Sequence, residues 1–263
     1  MTSVDKKRRF RTVILAAGKG TRMMSDLAKV LHPLCGQPLL SYVLETARLI
    51  DSEEIVVIVG HQAGKVEERF KDQGLIFIEQ AQQLGTGHAV LQARGHLEDY
   101  DGSILILCGD VPLLRPATLQ SLFDRHAATG ASVTVLTTRL SDPKGYGRIV
   151  KGPDGQIAKI VEERDATEDE KKIDEINSGI YCVESKFLFN ALMNLNNDNN
   201  QQEYYLTDII HIACKSGFKA ESILVSDYME VMGINTHEDL NRAGLYLEES
   251  LKSDSRDGGV VEQ

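Results

Sequence analysis

The stretch Val13-Ile14-Leu15-Ala16-Ala17-Gly18-Lys19-Gly20-Thr21-Arg22-Met23 decides how the rest of the chain is read. Its first half is a short apolar run with β-branched residues, the composition of a buried strand. Its second half sets Gly18 and Gly20 among Lys19 and Arg22, with Lys29 a few residues on. Glycine lets a backbone approach a ligand closely, and successive N–H groups in such a turn form an anion-binding concavity. A strand feeding a glycine-rich basic loop is therefore read as a phosphate site at the carboxyl end of a sheet. The loop matches neither standard nucleotide fingerprint: Met23 stands where G-x-G-x-x-G needs its last glycine, and G-x-x-x-x-G-K-[ST] is absent. Composition alone also allows a solvated turn. The density of cations in a net-acidic chain favours a phosphate, whose transfer depends on charge neutralisation.

Outward from this stretch, strand-like and helix-like segments alternate. Helical spacing predicts helices over Leu39–Ile50, Val66–Phe70, Gly85–Leu97, Thr118–Ala128, Leu206–Lys215 and Thr236–Ser250, the last with Thr236 as N-cap. Strands are expected at Ile55–Val59, Leu75–Ile78, Ile104–Leu107, Ser132–Thr137, Ile176–Val183 and Ser222–Val225. This alternation predicts an α/β fold, a doubly wound, mostly parallel sheet with right-handed crossovers. After about residue 140 the pattern changes. Gly147–Val150 and Gln156–Val161 flank Lys151-Gly152-Pro153-Asp154-Gly155, a turn sequence, and predict an antiparallel hairpin. Asn194–Gln202 reads as a mobile polar loop. No repeat is present, hexapeptide repeats included.

The bulk numbers exclude several classes. With 263 residues, 42% hydrophobic and 26% charged, the chain is an ordinary globular protein. A net charge of −10 argues against nucleic acid as a partner. Five bases, Lys6, Lys7, Arg8, Arg9 and Arg11, precede the first strand. The apolar run behind them is too short for a signal h-region, and no run is long enough to span a membrane. These features predict a cytoplasmic protein with no membrane partner. Cys35, Cys108, Cys182 and Cys214 form no C-x-x-C pair and are read as reduced core thiols. The histidines show no ligand-like spacing. The expected organisation is a basic extension at 1–11, an α/β domain at 12–235, a C-terminal helix at 236–252 and a flexible tail at 253–263.

Four further stretches carry chemistry. Leu105-Ile106-Leu107-Cys108-Gly109-Asp110-Val111-Pro112 ends an apolar strand in an acid, at the position where such folds bind ligands. A lone carboxylate with open positions suits Mg²⁺; the other reading is a cap on the following turn. Glu79-Gln80-Ala81-Gln82-Gln83-Leu84-Gly85-Thr86-Gly87 offers amide side chains and glycine backbone groups of the kind that read a base edge, or an ordinary polar helix start. Gly147, Glu162 and Asn177 are candidates for binding sugar hydroxyls, each of them also compatible with a structural role. Asn235, in Gly233-Ile234-Asn235, is either a second oxygen ligand or a turn residue.

Taken with Lys29-Val30-Leu31-His32, the opening stretch resembles the signature of bacterial nucleotidyltransferases that make sugar nucleotides. Gln83-Leu84-Gly85-Thr86-Gly87-His88-Ala89, Gly145-Tyr146-Gly147-Arg148-Ile149, Glu175-Ile176-Asn177-Ser178-Gly179 and Glu203-Tyr204-Tyr205-Leu206-Thr207-Asp208 narrow it. Over about residues 12–245 the chain resembles the uridylyltransferase domain of bifunctional N-acetylglucosamine-1-phosphate uridylyltransferase/glucosamine-1-phosphate acetyltransferases. The resemblance implies a Rossmann-like doubly wound mixed sheet with a small antiparallel sugar-binding lobe. It implies Mg²⁺-dependent transfer from UTP to N-acetylglucosamine 1-phosphate, giving UDP-N-acetylglucosamine, a cell wall precursor, and pyrophosphate. Arg22 and Lys29 are then catalytic. Leu15, Ala16, Ala17, Gly18, Gln80, Gln83, Gly85, Thr86, Cys108 and Gly109 bind the nucleotide. Gly147, Glu162 and Asn177 hold the N-acetylglucosamine moiety, and Asp110 with Asn235, itself also substrate-binding, holds the metal. The alternatives are a related enzyme using another sugar or base, such as glucose 1-phosphate, and a non-catalytic nucleotide-sugar-binding protein.

Three departures qualify the resemblance. Ala28 precedes Lys29 where the family usually has proline, and lost stiffness there weakens positioning. Cys108 stands where a polar side chain is frequent, so only a backbone contact is expected of it. The β-helical acetyltransferase domain is not in this sequence, nor is the trimerising part, so a monomer or weak homo-oligomer is expected. The polar ending Ser253–Gln263 points to a stand-alone chain.

Overall fold

The computed structural model describes residues 9–257. The chain runs β1 (Phe10–Ala16), two 3-10 turns (Thr21–Met23 and Lys29–Leu31), β2 (Pro33–Leu34), β3 (Gln37–Pro38), α1 (Leu39–Leu49), β4 (Ile55–Val59), α2 (Ala63–Phe70) and β5 (Ile76–Glu79). Next come α3 (Thr86–Leu91), α4 (Arg94–Leu97), β6 (Ser103–Cys108), α5 (Pro116–Thr129), β7 (Val133–Arg139), β8 (Arg148–Lys151) and β9 (Ile157–Val161). The remainder is β10 (Glu175–Glu184), α6 (Ser185–Leu192), α7 (Asp208–Lys215), β11 (Ala220–Leu224) and α8 (His237–Asp257).

One sheet dominates, in the order β11-β7-β10-β6-β1-β4-β5. β6, β1, β4 and β5 are parallel neighbours, as are β11 and β7. β10 is antiparallel to both β6 and β7 and makes the sheet mixed. The hairpin of β8 and β9 forms as expected, and Arg148 pairs with Ile176 of β10, so the small lobe continues the main sheet.

β4 is apolar throughout, and β1 and β6 are apolar over residues 13–16 and 104–107, because both faces of the sheet are covered there. Val13, Val56, Ile58, Ile104 and Ile106 pack on one face against Val90 and Ala93 behind α3, Leu188 of α6 and Ile209 of α7. Ile14, Val57, Val59, Leu105 and Leu107 pack on the other against Leu40 and Val43 of α1, Val66 and Phe70 of α2, and Leu122 of α5. The period-2 alternation sends successive strand residues to opposite cores. A third cluster of Leu34, Leu39, Leu113, Met229, Ile234 and Ala243 docks α8.

The structure corrects the sequence reading in places. The helix expected over Gly85–Leu97 is two short helices, α3 and α4. α6 was not anticipated, although its Phe187, Leu188 and Leu192 are core residues. The loop at 194–202 is irregular but anchored: Asn200 donates from its backbone to Asp165 Oδ1 (3.0 Å) and from Nδ2 to the Arg164 carbonyl (2.8 Å). The cysteines are free, yet Cys35 and Cys214 are exposed and not core thiols. Cys35 lies in the tight turn between β2 and β3, at φ 47, and Cys214 is near the end of α7. In the basic stretch, Arg9 donates to Glu53 Oε1 at 2.6 Å, and the Arg11 guanidinium lies 4.4 Å from the Tyr100 ring centroid. Both bases thus fasten the start of β1; Lys6, Lys7 and Arg8 lie outside the described residues. α8 continues to Asp257, and residues 258–263 also lie outside the described residues.

Beneath β7, His126 of α5 is buried, with its Nδ1 3.0 Å from Thr134 Oγ1. Burial pushes its pKa down to about 4. The unfolded chain then binds a proton between about pH 6.5 and 4 that the folded chain refuses, so stability falls as pH drops through that window. The loss amounts to up to about 3 kcal/mol. Urea denaturation at pH 7 and pH 5 should show His126→Gln losing less stability on acidification than the parent. An identical loss in both would remove His126 as the cause.

Candidate active site

The carboxyl ends of β1 and β6 open into a cleft of about 320 Å³, lined by Leu15, Ala16, Ala17, Gly18, Lys29, Gln80, Gln83, Gly85, Thr86, Cys108 and Asp110. Three stretches far apart in sequence therefore meet as expected for a ligand at this end of a parallel sheet. Register explains it, because Leu15 of β1 pairs with Cys108 of β6, and the Gly109 amide donates to the Leu15 carbonyl at 2.9 Å.

The basic loop is shaped by Gly20. It sits at φ 61, and a Cβ there would lie 2.7 Å from the Cβ of Lys29. Only glycine meets both conditions, and Lys29 can then lean across the loop. Its ammonium is held by the Asp110 carboxylate and by Asn235 Oδ1, the latter at 2.7 Å. Arg22 donates to the same Asn235 oxygen at 2.7 Å. Arg22, Lys29, Asp110 and Asn235 thus converge. Asn235 is fixed by the start of α8: Asp239 accepts from the amides of Asn235 (3.0 Å) and Thr236 (2.9 Å), while Thr236 Oγ1 accepts from the Asp239 amide (3.1 Å). This is a capping box, with Thr236 the N-cap foreseen from the sequence. Lys19 is exposed on the rim.

On the other wall, Gln80 is buried. Its Nε2 donates to the Gly85 carbonyl (3.0 Å) and lies 3.0 Å from His88 Nδ1. With the amide so oriented, Oε1 is the acceptor left for a ligand. Gly85 has φ 109, and a Cβ there would lie 2.6 Å from the Tyr204 carbonyl. That carbonyl also accepts from Gly87 (2.8 Å), and Thr86 Oγ1 accepts from the Leu206 amide (3.1 Å). The stretch 203–207 therefore clasps the base-side loop.

The same stretch reaches the small lobe, where Thr207 Oγ1 donates to Glu162 Oε1 at 3.2 Å. A Cβ on Gly147 would lie 3.5 Å from both Glu162 oxygens, and the Gly147 carbonyl accepts from Asn177 at 2.9 Å. Gly147, Glu162 and Asn177 thus form a second group. Asn177 Oδ1 accepts from Gly179 and from the Tyr181 hydroxyl, each at 3.0 Å, which leaves Nδ2 to donate. Cys108 connects the two groups through its contact with the Gly179 carbonyl (3.5 Å). Burial pushes the Cys108 thiol up to about 12, so it stays neutral. Burial also raises the Glu162 pKa, and Asp208, Asp165 and Glu203 raise it further against the bond from Thr207.

Sequence reasoning did not assign Val30, Ala89 and Glu203, which also line the cleft, nor Thr207 and Tyr181, which hold Glu162 and Asn177. Val30, Ala89, Glu203 and Thr207 lay inside quoted motifs; nothing in the local pattern marked Tyr181. Among the described residues no group of three or more His, Cys, Asp or Glu side chains is arranged to hold a metal. Among them, too, no helix is long and apolar enough to cross a membrane.

Comparison with known proteins fits this geometry. Residues 12–203 match the MobA-like NTP transferase domain. The chain is 49% identical over 250 residues to the bifunctional protein GlmU of Geobacter metallireducens, covering 95% of this chain and 52% of that protein. For GlmU of Geotalea uraniireducens the identity is 53% over 236 residues, covering 89% and 52%. For that of Desulfotalea psychrophila it is 46% over 240 residues, covering 91% and 71%. The chain spans about half the length of the first two relatives. A solved structure of UDP-glucose pyrophosphorylase complexed with UDP-glucose aligns with a TM-score of 0.73 at 18% identity, covering 92% of this chain and 99% of that one, a likeness of fold.

The raised pKa of Glu162 has a consequence for stability. A carboxyl whose pKa is higher folded than unfolded costs stability once pH rises above the unfolded value. Glu162→Gln should therefore melt at a higher temperature than the parent at pH 7.5. The two should converge near pH 4, where the carboxyl is protonated in both states. A lower melting temperature for the variant at pH 7.5 would contradict this.

Proposed function

The chain belongs to the MobA-like NTP transferase family, and we propose that it transfers the uridylyl group of UTP to N-acetylglucosamine 1-phosphate, releasing pyrophosphate. The observation that carries the proposal is the meeting of Arg22, Lys29, Asp110 and Asn235 at the mouth of a cleft whose far wall presents Gln80 and Gly85. No side chain there is placed as a nucleophile, and this reaction needs none: a phosphate oxygen of the sugar phosphate attacks the α-phosphorus of UTP in line, and pyrophosphate leaves.

The base wall favours uracil. Gln80 Oε1 is an acceptor, which suits the N3–H of uracil and opposes the N3 lone pair of cytosine. The Gly18–Gly20 turn brings backbone amides to the phosphates, which glycine allows by close approach. Lys29 and Arg22 offset the repulsion between two anionic substrates and neutralise charge that grows on the α-phosphoryl oxygens. Glu162 would accept from the sugar and the Nδ2 of Asn177 would donate to it, beside Gly147, where a Cβ would lie 3.5 Å from both Glu162 oxygens.

Asp110 and Asn235 supply a carboxylate and a carboxamide oxygen that already share one cation, the Lys29 ammonium. This hard-oxygen pair fits Mg²⁺, which takes its other ligands from water and phosphate. When bound, Mg²⁺ would supply charge neutralisation and orientation of the phosphates.

With Mg²⁺, UTP and N-acetylglucosamine 1-phosphate, pyrophosphate release is expected, with CTP a poor substitute. Lys29→Ala should lower kcat by about 10²–10³-fold, the loss typical of one transition-state donor. Release only with glucose 1-phosphate would overturn the sugar assignment. No release with any sugar phosphate would favour a binding protein over an enzyme.

A further inference from the structure

Gln62 lies on the loop after β4, in the left-handed region at φ 56, at the N-cap of α2. Glycine or asparagine is the easy residue at such a position, and a longer side chain there carries strain. Its side chain makes no capping bond to α2. It turns instead onto the segment that leads into Lys29. Gln62 Oε1 accepts from the Ala28 amide at 3.1 Å, and Gln62 Nε2 donates to the Asp26 carbonyl. One carboxamide thus grips a donor and an acceptor on either side of Leu27. The Leu31 amide donates to the Ala28 carbonyl at 2.9 Å. With Gln62 in place, the peptide groups from Asp26 to Ala28 are held immediately before the residue that carries the ammonium.

We infer that Gln62 is a positioning residue for Lys29, fixing through the Ala28 N–H the backbone from which the lysine reaches the reacting phosphates. The inference rests on the proposed uridylyl transfer for its kinetic consequence, though not for the contact itself. Ala28 has φ −54, an angle proline also adopts, but proline has no N–H to give. The chain therefore secures the loop by a side-chain clamp that proline at this position would not permit. Ala28 is 1% exposed, so without Gln62 its amide would lie buried and unpaired. Lys29 keeps its own contacts to Asp110 and Asn235, so losing the clamp shifts the ammonium without removing it. A shift of that kind lowers kcat more than it alters substrate binding.

Two measurements test this. In the substrate-free protein, amide hydrogen exchange at Ala28 should speed by about 10-fold or more in Gln62→Ala, with the strand amides of β1 and β4 unchanged. In the pyrophosphate assay Gln62→Ala should lose about 10- to 100-fold in kcat with both KM values within about 2-fold. Gln62→Glu, which keeps an acceptor for Ala28, should recover part of that loss. In an Ala28→Pro background the cost of Gln62→Ala should shrink, because the bond is already gone. Gln62→Met keeps the length without the bonds and serves if Gln62→Ala does not fold. Unchanged exchange at Ala28, kcat within about 2-fold of the parent, or an equal cost in both backgrounds would each overturn the inference. A parent enzyme with no pyrophosphate release would instead overturn the functional reading, leaving the exchange result to judge the clamp.

Discussion

The Lys29 ammonium, shared between the Asp110 carboxylate and the Asn235 carboxamide, is the contact on which the arrangement of the site depends. It joins three parts of the chain: the loop after β1, the end of β6 and the residue before the N-cap of α8. None of these is near another in sequence. The Lys29 and Asp110 side chains are only 14% and 21% exposed, so the charges are partly desolvated and attract more strongly than they would in open water. A partly buried pair of this kind stabilises little in net terms, because desolvation opposes attraction. Its value lies in geometry. The pair sets a cation and an anion side by side at the carboxyl ends of β1 and β6, and under the proposed transfer the substrate phosphates would compete with Asp110 for the lysine.

The same logic accounts for the small lobe. Glu162 is half-buried, and desolvation together with Asp208, Asp165 and Glu203 raises its pKa, which works against folding at neutral pH. A core built for stability would place an apolar residue there. A carboxyl kept against that cost lies beside Gly147, where a Cβ would come within 3.5 Å of both its oxygens. The stretch 203–207 ties this lobe to the base wall through Tyr204, Leu206 and Thr207, so the two halves of the ligand site are braced by one segment.

Much of the fold was legible because its signals are local. The β-branched runs of β1, β4 and β6 are buried on both faces and read as strands without ambiguity, and Thr236 announced the start of α8. The hairpin of β8 and β9 was visible from its turn residues. What escaped had non-local causes. The direction of β10 is set by insertion between β6 and β7, which no local pattern encodes. α6 starts straight after β10 with no cap bond to mark it. The continuous periodicity over Gly85–Leu97 concealed the break at Gln92-Ala93. In the site, the motifs gave Arg22, Lys29, Gln80 and Asp110 but not Val30, Ala89, Glu203 or Thr207 within them, and Tyr181 acts through a bond to Asn177 across the irregularity in β10. Gln62 gave no signal, because its role exists only once the loops after β1 and β4 are side by side.

That juxtaposition also explains why α8 belongs to the active site and is more than an appendage. Asn235 accepts from Arg22 and Lys29 only while its backbone is held by Asp239 in the first turn of α8. The helix is docked by Ala243 in the cluster with Leu34, Leu39 and Ile234, and by Tyr246, whose hydroxyl bonds Asp227 and accepts from Arg115 at the N-cap of α5. Arg115 itself pairs with Asp227 (3.1 Å) and Glu230 (3.3 Å). A disturbance of α8 docking therefore reaches Lys29 and Asp110 through two adjacent residues, Asn235 and Ile234, whose amide donates to the Asp110 carbonyl at 2.9 Å. The loop before Lys29 is fixed from the opposite side by the start of α2. The two cations are thus positioned by two helix beginnings on either side of the cleft, one acting through an asparagine after a capping box and the other through a glutamine that gives up its own cap.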